Sequence, residues 1–141
     1  MPGYVEVALD LLKLKGKGKI RNIGVTNFDA PHLKEIVDAG APIVSCQSQY
    51  SLFDRRPEFA LSKYCEGANI KHVCYGTLAG GLLAKRWEGV GAIKPETRSQ
   101  VKYLQMLEDS VGHEGYQKLL ELLEEIRSEE HTSELQSPVS I

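Results

Sequence analysis

The amino-acid sequence predicts an α/β fold built from successive strand–helix units. Three observations predict it. Short apolar runs at Ile20–Val25, Pro42–Gln47 and Asn69–Tyr75 have strand length, and each ends beside groups suited to holding a ligand. Amphipathic helical stripes separate the runs. The strand ends at Asn27, Gln47 and Tyr75 are 20 and 28 residues apart. That spacing is close to the roughly 30 residues per unit of an eight-unit βα barrel, in which parallel neighbours cross over right-handed.

Tyr4, Val7, Ala8, Leu11 and Leu12 recur at helical spacing and predict a first helix with one apolar face. Lys13 and Lys15 place positive charge in its last turn, and Gly16 and Gly18 end it. A parallel α/β chain normally begins with a strand, so the natural start is expected upstream of Met1. The first run, Ile20–Val25, stops on Thr26 and Asn27. Asp29 is a suitable N-cap and Pro31 suits a first helical turn. Leu33, Ile36 and Val37 then face inward, and Gly40 closes that helix. The second run leads into a polar, aromatic loop, Ser48–Arg56. Pro57 opens the next helix, with Ala60, Leu61, Tyr64 and Cys65 on one side and Gly67 at its end. The third run passes directly into Gly76–Gly81.

From Lys85 the composition changes. Trp87–Thr97 reads as a loop. Val101, Leu104, Met106, Leu107 and Val111 predict a helix ending at Gly112. Tyr116, Leu119, Leu120, Leu123 and Ile126 form a clean helical stripe, cut in mid-period, so the natural chain is expected to continue. The periodicity is lost after Ile126. Arg127–Ser137 resembles the translation, in one frame, of a common sequencing-adapter oligonucleotide. Residues 127–141 are therefore expected to be an artefactual or disordered tail, with a natural acidic tail as the alternative, and 1–126 to be the body of the chain, poorly folded on its own because three strands leave an open, apolar sheet edge.

Composition excludes several function classes. The 141 residues suit one small domain, and a 42% hydrophobic content suits a packed core. The net charge is −2, with no basic stripe, which argues against nucleic acid or an anionic membrane as partner. No apolar run approaches the roughly 20 residues of a membrane span. Met1–Tyr4 lacks signal-peptide features. Cys46, Cys65 and Cys74 are odd in number and lack metal-ligand spacing, which suggests reduced thiols in a cytoplasmic protein.

The strand ends carry the chemistry. Thr26, Asn27 and Gln47 can donate and accept hydrogen bonds from neighbouring strands, as recognition of a planar carboxamide requires. Ordinary capping of the loops is the other reading. Tyr75 can stack on a flat ring or sit half-buried at a rim. Gly76–Gly81 permits close backbone approach to a phosphate but matches neither common phosphate-loop pattern. His32, His72 and His113 lack metal-ligand spacing. Asp54, Arg55 and Arg56 read as a solvated loop. No nucleophile–base arrangement and no persuasive general acid can be argued.

In their order, these motifs resemble the aldo/keto reductases. Lys17–Phe28 is similar to that family's strand-six signature, with Thr26 in place of the commoner serine. Pro42–Arg56, through Gln47, Tyr50, Ser51, Leu52, Asp54 and Arg55, resembles the strand-seven region. Tyr75–Leu83 resembles the end of strand eight and the loop after it, and Ser99–Ile126 resembles an extended insert. The resemblance implies an α/β fold, a partial (β/α)8 TIM barrel of about strands six to eight plus an extra helical segment. It implies binding of NADP(H), or less often NAD(H). Thr26, Asn27 and Gln47 would hold the nicotinamide carboxamide, Tyr75 would stack on its ring, and Gly76, Thr77, Leu78, Ala79 and Gly80 would approach the pyrophosphate. The family's catalytic Asp, Tyr, Lys and His would lie upstream of Met1. The chain is then expected to carry no catalytic residue and to be inactive alone, with a small carbonyl compound as the parent's substrate. A nucleotide-sensing or partner-binding protein on the same fold is the alternative.

Overall fold

A computed structural model describes residues 3–136. The chain divides into two compact units between Thr77 and Leu78.

The first unit runs α1 (Tyr4–Gly16), β1 (Ile23–Thr26), α2 (Ala30–Asp38), β2 (Ile43–Gln49), α3 (Leu61–Gly67) and β3 (Lys71–Tyr75). The strands form one sheet in the order β1-β2-β3, and both pairings are parallel. Thr26 pairs with Gln47, and Gln47 with Val73; one step back, Val25 pairs with Cys46, and Cys46 with His72. Successive residues of a strand face opposite ways, so the register divides the sheet into two chemically different faces.

One face is the core. Ile23, Ile43 and Cys46 pack there with Leu33 and Ile36 of α2, Leu61 and Cys65 of α3, and Ala8 of α1. The other face carries Gly24, Thr26, Gln47, Lys71 and Val73, all exposed. Parallel sheets are normally covered on both faces. Within this unit one face is covered by helices and the other presents polar groups.

The strand limits differ from the sequence expectation for local reasons. β1 begins at Ile23 rather than Ile20 because the close of α1 extends further. Gly18 adopts φ 69°, and the Lys19 N–H reaches the Leu14 carbonyl at 3.0 Å, a Schellman-type ending that uses the residues before Arg21. β3 begins at Lys71 rather than Asn69 because Asn69 turns left-handed, at φ 55°, to leave α3. β2 continues to Gln49 because Ser48 and Gln49 pair with Cys74 and Tyr75. On α1, Val7 is exposed, while Tyr4, Leu11 and Leu12 pack partly against the core.

Asp29 caps α2, its carboxylate accepting from the His32 backbone N–H at 3.0 Å. The loop after β2 is less solvated than its charges suggest. Asp54 is 3% exposed, and its carboxylate accepts from Arg56 Nε and Nη2, both at 2.7 Å. His72 sits between two hydroxyls, Ser48 Oγ at 2.7 Å and Ser62 Oγ at 3.1 Å.

Gly24 is required by close approach. A Cβ there would lie 2.5 Å from Ser45 Oγ and 3.3 Å from the Ser45 carbonyl oxygen, on the neighbouring strand. Gly24→Ala is expected to destabilise the unit by about 1–2 kcal/mol. Gly24→Ala/Ser45→Ala should recover most of that loss in urea unfolding, because the nearer obstacle is the serine hydroxyl. Equal stability of the single and double variants would refute this account.

The second unit contains α4 (Arg98–Ser110) and α5 (Gly112–Gln136) after two short 3-10 turns, Ala79–Gly81 and Lys85–Trp87. Thr97 caps α4, its hydroxyl accepting from the Gln100 N–H at 3.1 Å. The buried stripe of α4 is Gln100, Tyr103 and Leu107, whereas Val101 and Val111 are exposed. Tyr103 sets that phase: its ring would meet a Cβ on Gly80 at 3.0 Å. Gln100 is buried because both ends of its amide are used. Its Oε1 accepts from the Glu96 N–H at 2.7 Å, and its Nε2 donates to the Gly80 carbonyl at 3.3 Å.

On α5, Tyr116 and Leu120 are buried as the stripe predicts, and Ile126 is exposed. The Tyr116 hydroxyl donates to the Leu82 carbonyl at 2.6 Å, and burial pushes its pKa up to about 12. The helix continues to Gln136, beyond the point where the apolar stripe stops and where the sequence predicts no ordered element. Glu, Leu and Gln are good helix formers, so backbone helicity does not need the stripe. The remainder of the expected tail, 137–141, lies outside the described residues. No helix among the described residues is long and apolar enough to cross a membrane.

Candidate functional site

Four predicted residues of the first unit meet at the carboxyl edge of the sheet. Thr26 closes β1 and faces the same way as its partner Gln47 on β2, their Oγ1 and Oε1 atoms 3.4 Å apart. Asn27 follows at φ 60°, the left-handed region that asparagine tolerates better than most side chains. Its backbone N–H donates to the Gln47 carbonyl at 2.8 Å, which pins it at the strand end. Tyr75 closes β3, and its hydroxyl donates to Asn27 Oδ1 at 2.8 Å. Thr26, Asn27 and Gln47 are exposed, and Tyr75 is half-buried. The cluster therefore offers solvent one hydroxyl, two amides and a phenol, a set suited to binding a polar planar group.

Gly76 continues from Tyr75 at φ 69°, and Thr77 ends the first unit. Leu78, Ala79 and Gly80 open the second unit. There Leu78 is exposed, Ala79 is fully buried, and Ala79 and Gly80 take positive φ, 49° and 65°.

A second cluster lies beside the edge, on the loop after β2. Arg55 grips Glu58 as a fork, Nε to Oε1 at 2.9 Å and Nη2 to Oε2 at 2.7 Å. The Tyr50 hydroxyl donates to the same carboxylate. Arg55, and after it Tyr50, hold the Glu58 carboxyl below the usual range, while that carboxylate raises the Tyr50 phenol. These residues, with Ser51, Leu52 and Thr77, line a cavity of about 210 Å³. The Tyr50 N–H donates to the Tyr75 carbonyl at 3.1 Å, so the loop is fastened to the strand that carries the predicted stacking ring. Sequence reasoning missed Glu58. The signal was present in the three-residue spacing of Arg55 and Glu58, which brings opposite charges together on a helical turn.

Another cavity, about 600 Å³, lies between α1 and β1 and has Thr26 in its wall. Tyr4, Val7, Leu11 and Phe28 make it predominantly apolar, and it gathers no reactive groups. Among the described residues no cluster of His, Cys, Asp or Glu could hold a metal ion.

The family model described as the aldo/keto reductase family matches residues 2–137. The chain belongs to the aldo/keto reductase family. It is 38% identical over 78 residues to the NADH-specific methylglyoxal reductase of Escherichia coli, a match covering 55% of this chain and 24% of that protein. It is 37% identical over 78 residues to the aldo-keto reductase YhdN of Bacillus subtilis, covering 55% and 23%. Among solved structures, the glycerol dehydrogenase AKR11B4 of Gluconobacter oxydans superposes with a TM-score of 0.74 at 27% identity, over 89% of this chain and 37% of that one. The chain thus spans about a quarter of the length of these curated relatives. The α/β fold, with parallel strands and intervening helices, corresponds to part of an aldo/keto reductase (β/α)8 barrel.

Proposed function

We propose that this chain supplies part of the nicotinamide site of an NAD(P)H-dependent carbonyl oxidoreductase. The observation that carries the reading is the convergence of Thr26, Asn27, Gln47 and Tyr75 at one sheet edge. Their chemistry fits the group. Asn27 and Gln47 each present an amide, with an oxygen that can accept from a carboxamide N–H and a nitrogen that can donate to its oxygen, and the Thr26 hydroxyl can do either. The Tyr75 ring provides an aromatic face for stacking. Gly76 and Thr77, followed in the chain by Leu78, Ala79 and Gly80, are assigned to phosphate contacts through their backbone. When bound, the cofactor supplies the hydride. The residues of this chain bind and orient, and none is assigned a proton-transfer role.

The choice between NADP(H) and NAD(H) is part of the proposal. The relative from Escherichia coli is named as NADH-specific, and the sequence resemblance implies NADP(H) more generally. A small carbonyl compound, with methylglyoxal as the first to try, is the proposed substrate of the whole protein, in a cytoplasmic setting and without nucleic-acid or membrane partners.

The test is titration of the chain with NADPH and with NADH, followed by nicotinamide fluorescence. Saturable binding is expected for at least one. Gln47→Ala should weaken it about tenfold, as loss of a hydrogen bond to a desolvated amide does. Binding indifferent to Gln47, in a variant with unchanged far-UV circular dichroism, would remove this residue from the site. For the whole protein, failure to oxidise either cofactor with any aldehyde or ketone would refute the activity.

A further inference from the structure

We propose that the Tyr75–Asn27 hydrogen bond is a latch that closes the nicotinamide site of the free protein and must open before a dinucleotide enters. The inference rests on the site reading above and adds a conformational step to it.

The contact joins β3 to the end of β1, although β2 lies between them in the sheet. Neighbouring strands are about 4.8 Å apart, so a side chain bridging β3 to β1 passes across the end of β2. The crossing falls beyond Gln47, because Tyr75 pairs with Gln49, the last residue of β2. The phenol therefore reaches Asn27, one of the groups that would receive the carboxamide. It also occupies the needed acceptor, because Asn27 Oδ1 takes the Tyr75 hydroxyl at 2.8 Å. A carboxamide N–H seeking that oxygen competes with the phenol.

The latch opens at the tyrosine side chain. Asn27 is held by its N–H on the Gln47 carbonyl and by its left-handed backbone. The backbone of Tyr75 is held by the Tyr50 N–H on its carbonyl. Rotation of the Tyr75 side chain breaks its hydrogen bond to Asn27 and leaves both backbones in place. The same rotation releases the ring for stacking. A binding-competent state that is only a fraction of the population reduces apparent affinity by that fraction.

The test compares NADPH binding by the chain and its Tyr75→Phe and Tyr75→Ala variants, at equilibrium and by stopped flow. Tyr75→Phe keeps the ring and removes the latch, so it should bind about fivefold tighter and associate faster. Tyr75→Ala loses the ring and should bind more weakly than the parent chain. If Tyr75→Phe binds equally or more weakly while Tyr75→Ala is impaired, the latch is refuted and the site reading stands. If neither the parent chain nor any variant binds NADPH, both fall. Far-UV circular dichroism of the variants shows whether a loss of binding reflects a loss of fold, and the gain expected for Tyr75→Phe cannot come from unfolding.

Discussion

Leu33→Ala should lower the stability of the first unit by about 3 kcal/mol, the range for truncating a fully buried leucine. Leu33 is 0% exposed and its neighbour one turn on, Ile36, is 1% exposed. Both stand on the face of α2 that packs in the core with Ile23, Ile43 and Cys46. The loss combines the transfer free energy of the removed atoms with the cavity they leave, since core side chains collapse only in part. The exposed Val7, at 60%, supplies the control: Val7→Ala should change stability by less than about 0.5 kcal/mol. Urea unfolding of both variants measures the contrast. Equal effects would mean that the packing of α2 on the sheet is not what holds the unit together. The consequence for function is direct, because α2 begins three residues after Asn27, and Asp29, between them, caps the helix. A loosened α2 loosens the turn that places Asn27.

The elements that position the site were readable in the sequence because each is punctuated locally. Asp29 before Pro31, with Leu33 and Ile36 at helical spacing, defines α2 without tertiary information. Thr26 and Tyr75, which close β1 and β3, were equally readable, whereas β2 runs two residues past Gln47 by pairing with Cys74 and Tyr75. The strand starts were not, because α1 ends through Gly18 and a backbone bond from Lys19 to Leu14, which displaces the first pairing residue to Ile23. On α4 the apolar count pointed to Val101 and Val111. Tertiary packing instead buried Gln100 and Tyr103, and a glutamine is read as exposed until the partners of its amide are known. Asp54 was missed for the same reason: its burial depends on Arg56, two residues on, folding back over it.

The contacts within the site lay beyond any sequence reading. Nothing in the spacing of Asn27 and Tyr75 indicates that their side chains meet, because the contact depends on both strands lying in register on either side of β2. A short side-chain contact across a sheet edge is a product of topology. This is why the residue types of the site follow from the sequence, whereas its closed geometry, and the opening step it requires, follow only from the fold.

Alkaline pH should destabilise the first unit through Cys46. Its thiol is fully buried, and its pKa is pushed up to about 11, first by burial and then by the neighbouring Cys65 thiol. Burial raises Cys65 as well. An unfolded cysteine titrates near 8.5, so the unfolded chain releases its proton at lower pH than the folded one. The folded state then binds more protons between the two values, and the stability of the unit falls as pH rises. The contribution is intact below about pH 8.5 and is lost progressively toward pH 11, amounting to about 2–3 kcal/mol for a shift of this size. Cys46→Ala should be less stable than the parent chain at pH 7, by about 1 kcal/mol for the lost packing. Its stability should decline more gently above pH 8.5, so the two curves converge. The exposed Cys74 serves as the internal reference: in the folded chain at pH 8 an alkylating reagent should label it well before Cys46 or Cys65. Parallel stability curves for the two proteins, or labelling of Cys46 as fast as Cys74, would place Cys46 outside the core that the sheet and α3 enclose.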